Sequence, residues 1–246
     1  MRYFFSKQAL SQLQAICQTN TLYAFDYDGT LAPLVPADKK AVMLEETSSL
    51  LKKLDDIGIV AIISGRSLNQ LLKLLTFKPK FLIGNHGLES QDTPASILNK
   101  AKKITSKWLT TLKPQLENVF VENKQYTLTL HIHIKSHSKK SQLLKLVKGL
   151  SPPPRLILGH QCLNLIPSLS NDKGTALQAL MHKTQSRSAF FIGDDVTDED
   201  VFRLNADMPH LFSLRVEKKQ SSLAHFFIHD QEQINDVLRV LISSKK

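Results

Sequence analysis

Tyr23-Ala24-Phe25-Asp26-Tyr27-Asp28-Gly29-Thr30-Leu31 places two carboxylates two residues apart at the end of an apolar run. Leu22 to Phe25 has the length and character of a buried strand. In extended chain, residues i and i+2 point the same way, so Asp26 and Asp28 can approach one small target together. Two acids that close repel and shift each other's pKa unless a cation sits between them. A hard divalent ion with oxygen ligands resolves that repulsion. Gly29 then lets the backbone turn sharply.

Three more polar groups stand at comparable places further along. Ile59 to Ile63 runs into Ser64-Gly65-Arg66. Lys173-Gly174 opens a helix-like stretch. Ser188 to Ile192 runs into Gly193-Asp194-Asp195-Val196-Thr197-Asp198-Glu199-Asp200. Any one of these fits an ordinary strand-to-helix turn or N-cap, where Asp, Ser and Gly are expected. All four in order carry more weight, because open α/β sheets bind ligands beyond the carboxyl ends of their strands.

The organisation around these groups is alternating at first. Ser6 to Gln18 has helical spacing, followed by a strand over 22–26, a helix over 43–56, a strand over 59–63, a helix over 67–75 with Ser67 as N-cap, and a strand at 81–83. That rhythm predicts a parallel sheet with helices on both faces. After Gly84-Asn85-His86-Gly87 it changes to a helix over 95–112, a strand at Val119-Phe120-Val121 and an alternating antiparallel strand over 126–134. A helix around Leu143, Leu144 and Val147 follows, then Pro152-Pro153-Pro154, then strands at 155–158 and 162–166. Helix, two strands, helix, two strands reads as a compact α+β insertion. The expected division is a core over 1–88 and 169–246, interrupted by a cap over 89–168.

The 246 residues suffice for such a core with its insertion, and 42% hydrophobic with 22% charged residues is an ordinary globular balance. Charge is uneven: 89–167 holds 12 Lys/Arg against 4 Asp/Glu, which is +8 of the total +10. A basic segment near an acidic loop attracts anionic substrates, although a solvated lysine face explains it equally well. Trp108, Phe120 and Tyr126 are that segment's aromatics, and no nucleic-acid motif accompanies them, so a nucleic-acid partner is not expected. Cys17 and Cys162 do not make a disulfide framework, no apolar h-region opens the chain, and no run is long enough for a bilayer. The expectation is a cytoplasmic monomer without a membrane partner.

Asp-Tyr-Asp-Gly-Thr-Leu, with the Ser64, Lys173 and Asp194 groups, resembles the haloacid dehalogenase (HAD) superfamily of phosphoryl-transfer enzymes. Ser-Gly-Arg, Gly-Asn-His-Gly and Gly-Asp-Asp-Val-Thr-Asp-Glu-Asp narrow the resemblance to the trehalose 6-phosphate phosphatase family, across nearly the whole chain. It implies an α/β fold, a HAD-like Rossmannoid core with a parallel sheet plus an inserted α+β cap of the C2 type. It also implies Mg2+-dependent hydrolysis of a small-molecule sugar phosphate through an aspartyl-phosphate. Asp26 would be nucleophile and Asp28 general acid/base, with Ser64 and Lys173 holding the phosphoryl group. Mg2+ would lie on Asp26, Asp194 and the Asp28 main-chain carbonyl, with Asp195 at the edge of the metal set. Gly65, Arg66, Asn85, His86, Asp198 and the cap's Glu122 and Lys124 would meet the substrate.

The cap departs from the family's pattern. His131 stands in the family's Leu-His-Tyr-Arg segment, but Ile132-His133 replace Tyr-Arg. In the later segment His160, Asn164 and Ile166 replace Lys, Glu and Arg. Another glycosyl phosphate, such as sucrose phosphate or mannosylglycerate phosphate, is therefore the alternative substrate. A non-catalytic binding module is set aside by the intact Asp26, Asp28, Ser64, Lys173 and Asp194.

Overall fold

The computed structural model describes residues 1–35, 40–116, 119–131, 137–159, 162–169 and 171–245. The chain divides into two compact units, one formed by 1–87 with 172–246 and the other by 88–171.

The first unit begins with β1 (Arg2–Tyr3), α1 (Lys7–Cys17), β2 (Thr21–Phe25), α2 (Glu45–Ile57), β3 (Ile59–Ile63), α3 (Leu68–Leu74) and β4 (Phe81–Ile83). Ser67 caps α3 as expected: its hydroxyl accepts from the Gln70 N–H, and Gln70 returns a bond to the Ser67 N–H. The second unit holds α4 (Ala95–Leu112), β5 (Phe120–Asn123), β6 (Leu128–His131), α5 (His137–Lys148), β7 (Pro154–Gly159) and β8 (Cys162–Pro167). The chain then returns to the first unit with α6 (Lys173–Thr184), β9 (Ser188–Gly193), α7 (Glu199–Phe202), β10 (Leu211–Val216), β11 (Phe226–Ile228) and α8 (Ile234–Ser244).

In the first unit one parallel sheet runs in the order β1-β11-β10-β9-β2-β3-β4. Its central strands are buried end to end, as parallel strands covered on both faces must be. Period-2 alternation sorts their side chains into two cores. Tyr23, Phe25, Val60, Ile62, Phe190 and Ile192 pack with α1, α2 and α8 on one face. Leu22, Ala24, Ala61, Ile63, Ala189 and Phe191 pack with α6 and α7 on the other. Three strands of this sheet, β1, β10 and β11, lie outside the elements the sequence predicts. β1 and β11 have two and three residues, too few for a pattern, and Ser213 and Arg215 interrupt the apolar run of β10.

The second unit is an antiparallel sheet, β5-β6-β8-β7. Trp108 and Leu112 of α4, with Leu143 and Val147 of α5, pack against Leu128, Leu130, Leu163 and Leu165. The expected half-buried alternation in the second of these strands is not what forms. Thr127 to Leu130 are all buried, and Thr129 satisfies its hydroxyl by donating to Asn164 Oδ1 at 2.7 Å. The predicted strand over 126–134 is described only to His131; Ile132 and His133 lie outside the described residues.

Trp108 is the chain's one tryptophan. It is fully buried, with Nε1 donating to the Pro152 carbonyl at 2.7 Å. Its fluorescence therefore reports unfolding of the inserted unit. Leu165→Ala, at a fully buried position in that core, should cost about 2–5 kcal/mol. The test is the Trp108 fluorescence midpoint in urea, which should fall, while a midpoint equal to wild type would contradict this packing.

Candidate active site

Asp26 follows β2 directly, and its N–H still joins the sheet by donating to the Ile192 carbonyl of β9 at 2.9 Å. Beyond it the chain doubles back. Gly29 N–H donates to the Ala32 carbonyl at 2.8 Å and Ala32 N–H to the Tyr27 carbonyl at 2.9 Å. Gly29 sits at φ 74°, a conformation an L side chain resists. A Cβ there would also fall inside the Asp194 carboxylate. The Tyr27 hydroxyl anchors the loop to the Ala41 carbonyl at 3.0 Å.

The loop after β3 is tied to the one after β4. Ser64 N–H donates to the Ile83 carbonyl, Asn85 N–H to the Arg66 carbonyl at 2.7 Å, and His86 N–H to the Ser64 carbonyl at 3.0 Å. Asn85 and His86 both hold positive φ, 49° and 59°, and both are buried. Non-glycine residues kept there indicate a locally strained turn. Asp172 caps α6, accepting from the Thr175 N–H at 2.8 Å. That cap sets Lys173 as the first helical residue.

Lys173 is the centre of the site. Its ammonium, 1% exposed, lies 2.8 Å from Asp26 Oδ1 and 2.7 Å from Asp198 Oδ1. Burial by itself would lower its pKa, but Asp198 and Asp26 overcome that and hold it charged. Asp198 Oδ2 accepts from the N–H groups of Asp194 and Asp195, each at 2.9 Å. Gly193 is what admits it, since a Cβ there would overlap the Asp198 carboxylate. Asp195 turns its own side chain back to cap the short turn that follows. Asp194 carries its carboxylate forward, near Thr30 Oγ1 at 3.4 Å.

Carboxylate oxygens of Asp26, Asp194 and Asp198 thus lie within 4.8 Å of one another. Burial pushes Asp26 up to about 8, with Asp198 and Asp28 adding to the rise against the pull of Lys173. Burial also pushes Asp194 up to about 9, reinforced by Asp26, Asp198 and Asp195. Among the described residues three acids face one ammonium, so ionising all of them would leave negative charge for a cation to meet. Asp198 already accepts at both oxygens, whereas Asp26 and Asp194 keep capacity for a cation. The donor set is all oxygen and suits a hard divalent ion.

Asp28 stands apart from this cluster. Arg66 grips it with a two-pronged fork, Nε to Oδ2 at 2.7 Å and Nη2 to Oδ1 at 2.5 Å. Arg66, expected at the substrate, is here the partner of the expected acid/base. Asp198, also expected at the substrate, is fully buried as the hub of the metal-side loop. In the inserted unit, Glu122 Oε2 lies 3.0 Å from His131 Nε2, and Lys124 closes a turn by donating its N–H to the Thr127 carbonyl at 3.0 Å. His160 lies outside the described residues. Sequence reading missed Arg215, which reaches the Asp194 carbonyl and, at 3.3 Å, that of Asp195. A lone charged residue, an arginine near the carboxyl end of a mostly apolar strand, was the available signal.

A family profile described as trehalose-phosphatase matches residues 24–232. Among curated proteins, a probable trehalose-phosphate phosphatase I of Arabidopsis thaliana is 27% identical over 248 residues, covering 90% of this chain and 67% of its own. The trehalose 6-phosphate phosphatase RA3 of Zea mays is 27% identical over 250 residues, covering 89% and 69%. The chain thus spans about two thirds of the length of these plant relatives. The solved C-terminal domain of a C. albicans trehalose-6-phosphate phosphatase superposes with a TM-score of 0.72 at 20% identity, covering 95% of this chain and 97% of that one. That last likeness is one of fold.

The raised carboxyls have a pH consequence. Their protonated forms favour the fold relative to an unfolded chain, where carboxyls titrate near about 4. That contribution is complete below the unfolded range and is lost as pH rises through about 8 and about 9. The cation-free protein should therefore lose thermal stability between pH 6 and pH 9, and a saturating divalent cation should restore it. Binding of the cation at pH 7 should release protons. Calorimetry in two buffers of different ionisation enthalpy measures this, and proton uptake or no proton exchange would contradict the charge balance described.

Proposed function

Because the chain belongs to the trehalose-phosphatase family, and so is a phosphoric monoester hydrolase, we propose that it hydrolyses trehalose 6-phosphate to trehalose and phosphate. The observation that carries this reading is the family match over 24–232, joined to a buried lysine bridging the Asp26 carboxylate to the loop that bears Asp194. Asp26 and Asp194 would hold the divalent cation, together with the Asp28 main-chain carbonyl, and Mg2+ is the ion we assign. When bound, it neutralises charge on the transferring phosphoryl oxygens.

In the proposed reaction, an Asp26 carboxylate oxygen attacks phosphorus, and the bond from phosphorus to the sugar oxygen breaks. Asp28 donates a proton to that departing oxygen. Water then attacks the aspartyl-phosphate, Asp28 takes its proton, and phosphate leaves with Asp26 restored. Ser64 and Lys173 bind the phosphoryl group, and Lys173 holds Asp26 in one orientation throughout. Arg66 aligns the Asp28 carboxylate through its fork. The turn of Asn85 and His86, with Gly65, supports the substrate side, while Asp198 fixes Lys173 and the loop that bears Asp194. Glu122 and Lys124 are proposed to bind sugar hydroxyls. The cytoplasm is the proposed location and a monomer the proposed state. No helix among the described residues is long and apolar enough to cross a membrane.

Phosphate release across a panel of sugar phosphates, with and without chelator, tests the reading. Trehalose 6-phosphate should give the highest kcat/KM, and exhaustive chelation should stop turnover until Mg2+ is returned. A clear preference for sucrose phosphate, or full activity in chelator, would overturn the corresponding assignment. Asp26→Asn should keep the fold and lose turnover, since an amide fills the same space without attacking phosphorus; more than a few percent of wild-type rate, with deamidation excluded, would remove Asp26 as nucleophile.

Remote binding energy can be used in the transition state. Glu122→Ala should therefore lower kcat/KM on trehalose 6-phosphate by about tenfold or more, or roughly 1.4 kcal/mol, while sparing a small aryl phosphate. Equal losses on both substrates would make Glu122 a structural residue instead.

A further inference from the structure

The peptide unit joining Asp194 to Asp195 is gripped from both sides. Its carbonyl accepts from Arg215 Nη2, and its N–H donates to Asp198 Oδ2 at 2.9 Å. The flanking groups are held by the same two side chains. Asp194 N–H goes to Asp198 Oδ2 at 2.9 Å, and Arg215 Nη1 reaches the Asp195 carbonyl at 3.3 Å. With the backbone on both sides of its Cα fixed, Asp194 can move its carboxylate only by side-chain rotation.

Sheet register delivers Arg215 to this position, since its Cα pairs with that of Gly193 across β10 and β9. The side chain is nearly buried, and its charge is met by Glu199 Oε1 at 3.2 Å. Glu199 is itself fixed, because Oε2 accepts from the Leu223 N–H at 3.0 Å. An apolar residue would fill such a space without desolvating a charge. What a guanidinium alone supplies is a rigid planar fork that spans two carbonyls.

We propose that Arg215 is a positioning residue for the divalent cation, acting through the Asp194–Asp195 backbone to hold the Asp194 carboxylate in its binding orientation. The inference rests on the cation reading above. Two effects of Arg215 oppose each other. Its charge repels a cation, and its fork preorganises a ligand. Glu199, in ion-pair contact, largely cancels the charge, so the fork decides the sign.

The experiment measures Mg2+ binding to the whole chain without substrate, by calorimetry and by the cation-dependent rise in Tm. Arg215→Lys keeps the charge and loses the fork, so Mg2+ Kd should rise about fivefold or more. Arg215→Met loses both, and Kd should rise about 10–100-fold, the range for residues that orient metal ligands. An unchanged or tighter Kd in a folded variant, whatever happens to its cation-free Tm, overturns the proposal. If Arg215→Met does not fold, the lysine variant decides alone. A wild-type chain that binds no Mg2+ would instead bring down the cation reading, and this inference with it.

Discussion

An ammonium group with almost no access to water lies between two carboxylates, and the geometry of the core follows from it. Lys173 could not remain charged at 1% exposure without Asp26 at 2.8 Å and Asp198 at 2.7 Å, because an unpaired buried charge is among the most destabilising features a fold can hold. The two carboxylates come from different loops, so the same ion pairs tie the end of β2 to the segment after β9. Asp194 then enters as a third acid, and among the described residues no second lysine meets it. Burial, reinforced by the neighbouring acids, raises Asp26 and Asp194 together, and the excess of acids over ammonium groups makes a place for a divalent cation.

Parallel topology gives this charge cluster its precision. β2 lies between β9 and β3, so the three strands deliver their following loops to one edge of the sheet. Asp26 is placed by the sheet itself, since its N–H continues the hydrogen bonding to β9. Close approach does the rest. Gly29 leaves room for the Asp194 carboxylate, and Gly193 leaves room for that of Asp198. A carboxylate, a lysine and main-chain amides can then converge at hydrogen-bond distance without a side chain between them.

Much of this was legible beforehand, for identifiable reasons. The strand over 59–63, the strand over 81–83 and the helix over 95–112 appear at their expected bounds. In each, uninterrupted apolar character or helical spacing is bounded by Gly, Pro or Ser. β1 and β11 were not legible, because two or three residues cannot show a period and, unlike Phe81–Ile83 before Gly84, neither runs into a glycine turn. Burial of Thr127 and Thr129 was hidden for another reason. A threonine on an alternating strand reads as solvent-facing until its hydroxyl is seen to have a partner, as that of Thr129 does in Asn164. Asp195 and Asp198, acids of one motif, were expected at the metal and at the substrate, and neither role could be read from their spacing. One caps a turn while the other binds a buried lysine and two amides, and only the path of the chain separates them.

By itself, then, the sequence determined which chemical groups would end which strands: Asp26 and Asp28 after the first, Ser64 after the second, Asp194 after the last, and Lys173 at a helix start. Strand periodicity and the residue types that follow a strand are local properties, carried by a few consecutive residues. The tertiary structure alone decided the pairings. Lys173 could have met any acid of the loops after β2 and β9, Arg66 could have pointed to substrate rather than to Asp28, and nothing local required Arg215 to grip the Asp194 carbonyl. Those choices depend on distances between segments far apart in the chain, and such distances are set by sheet register and core packing.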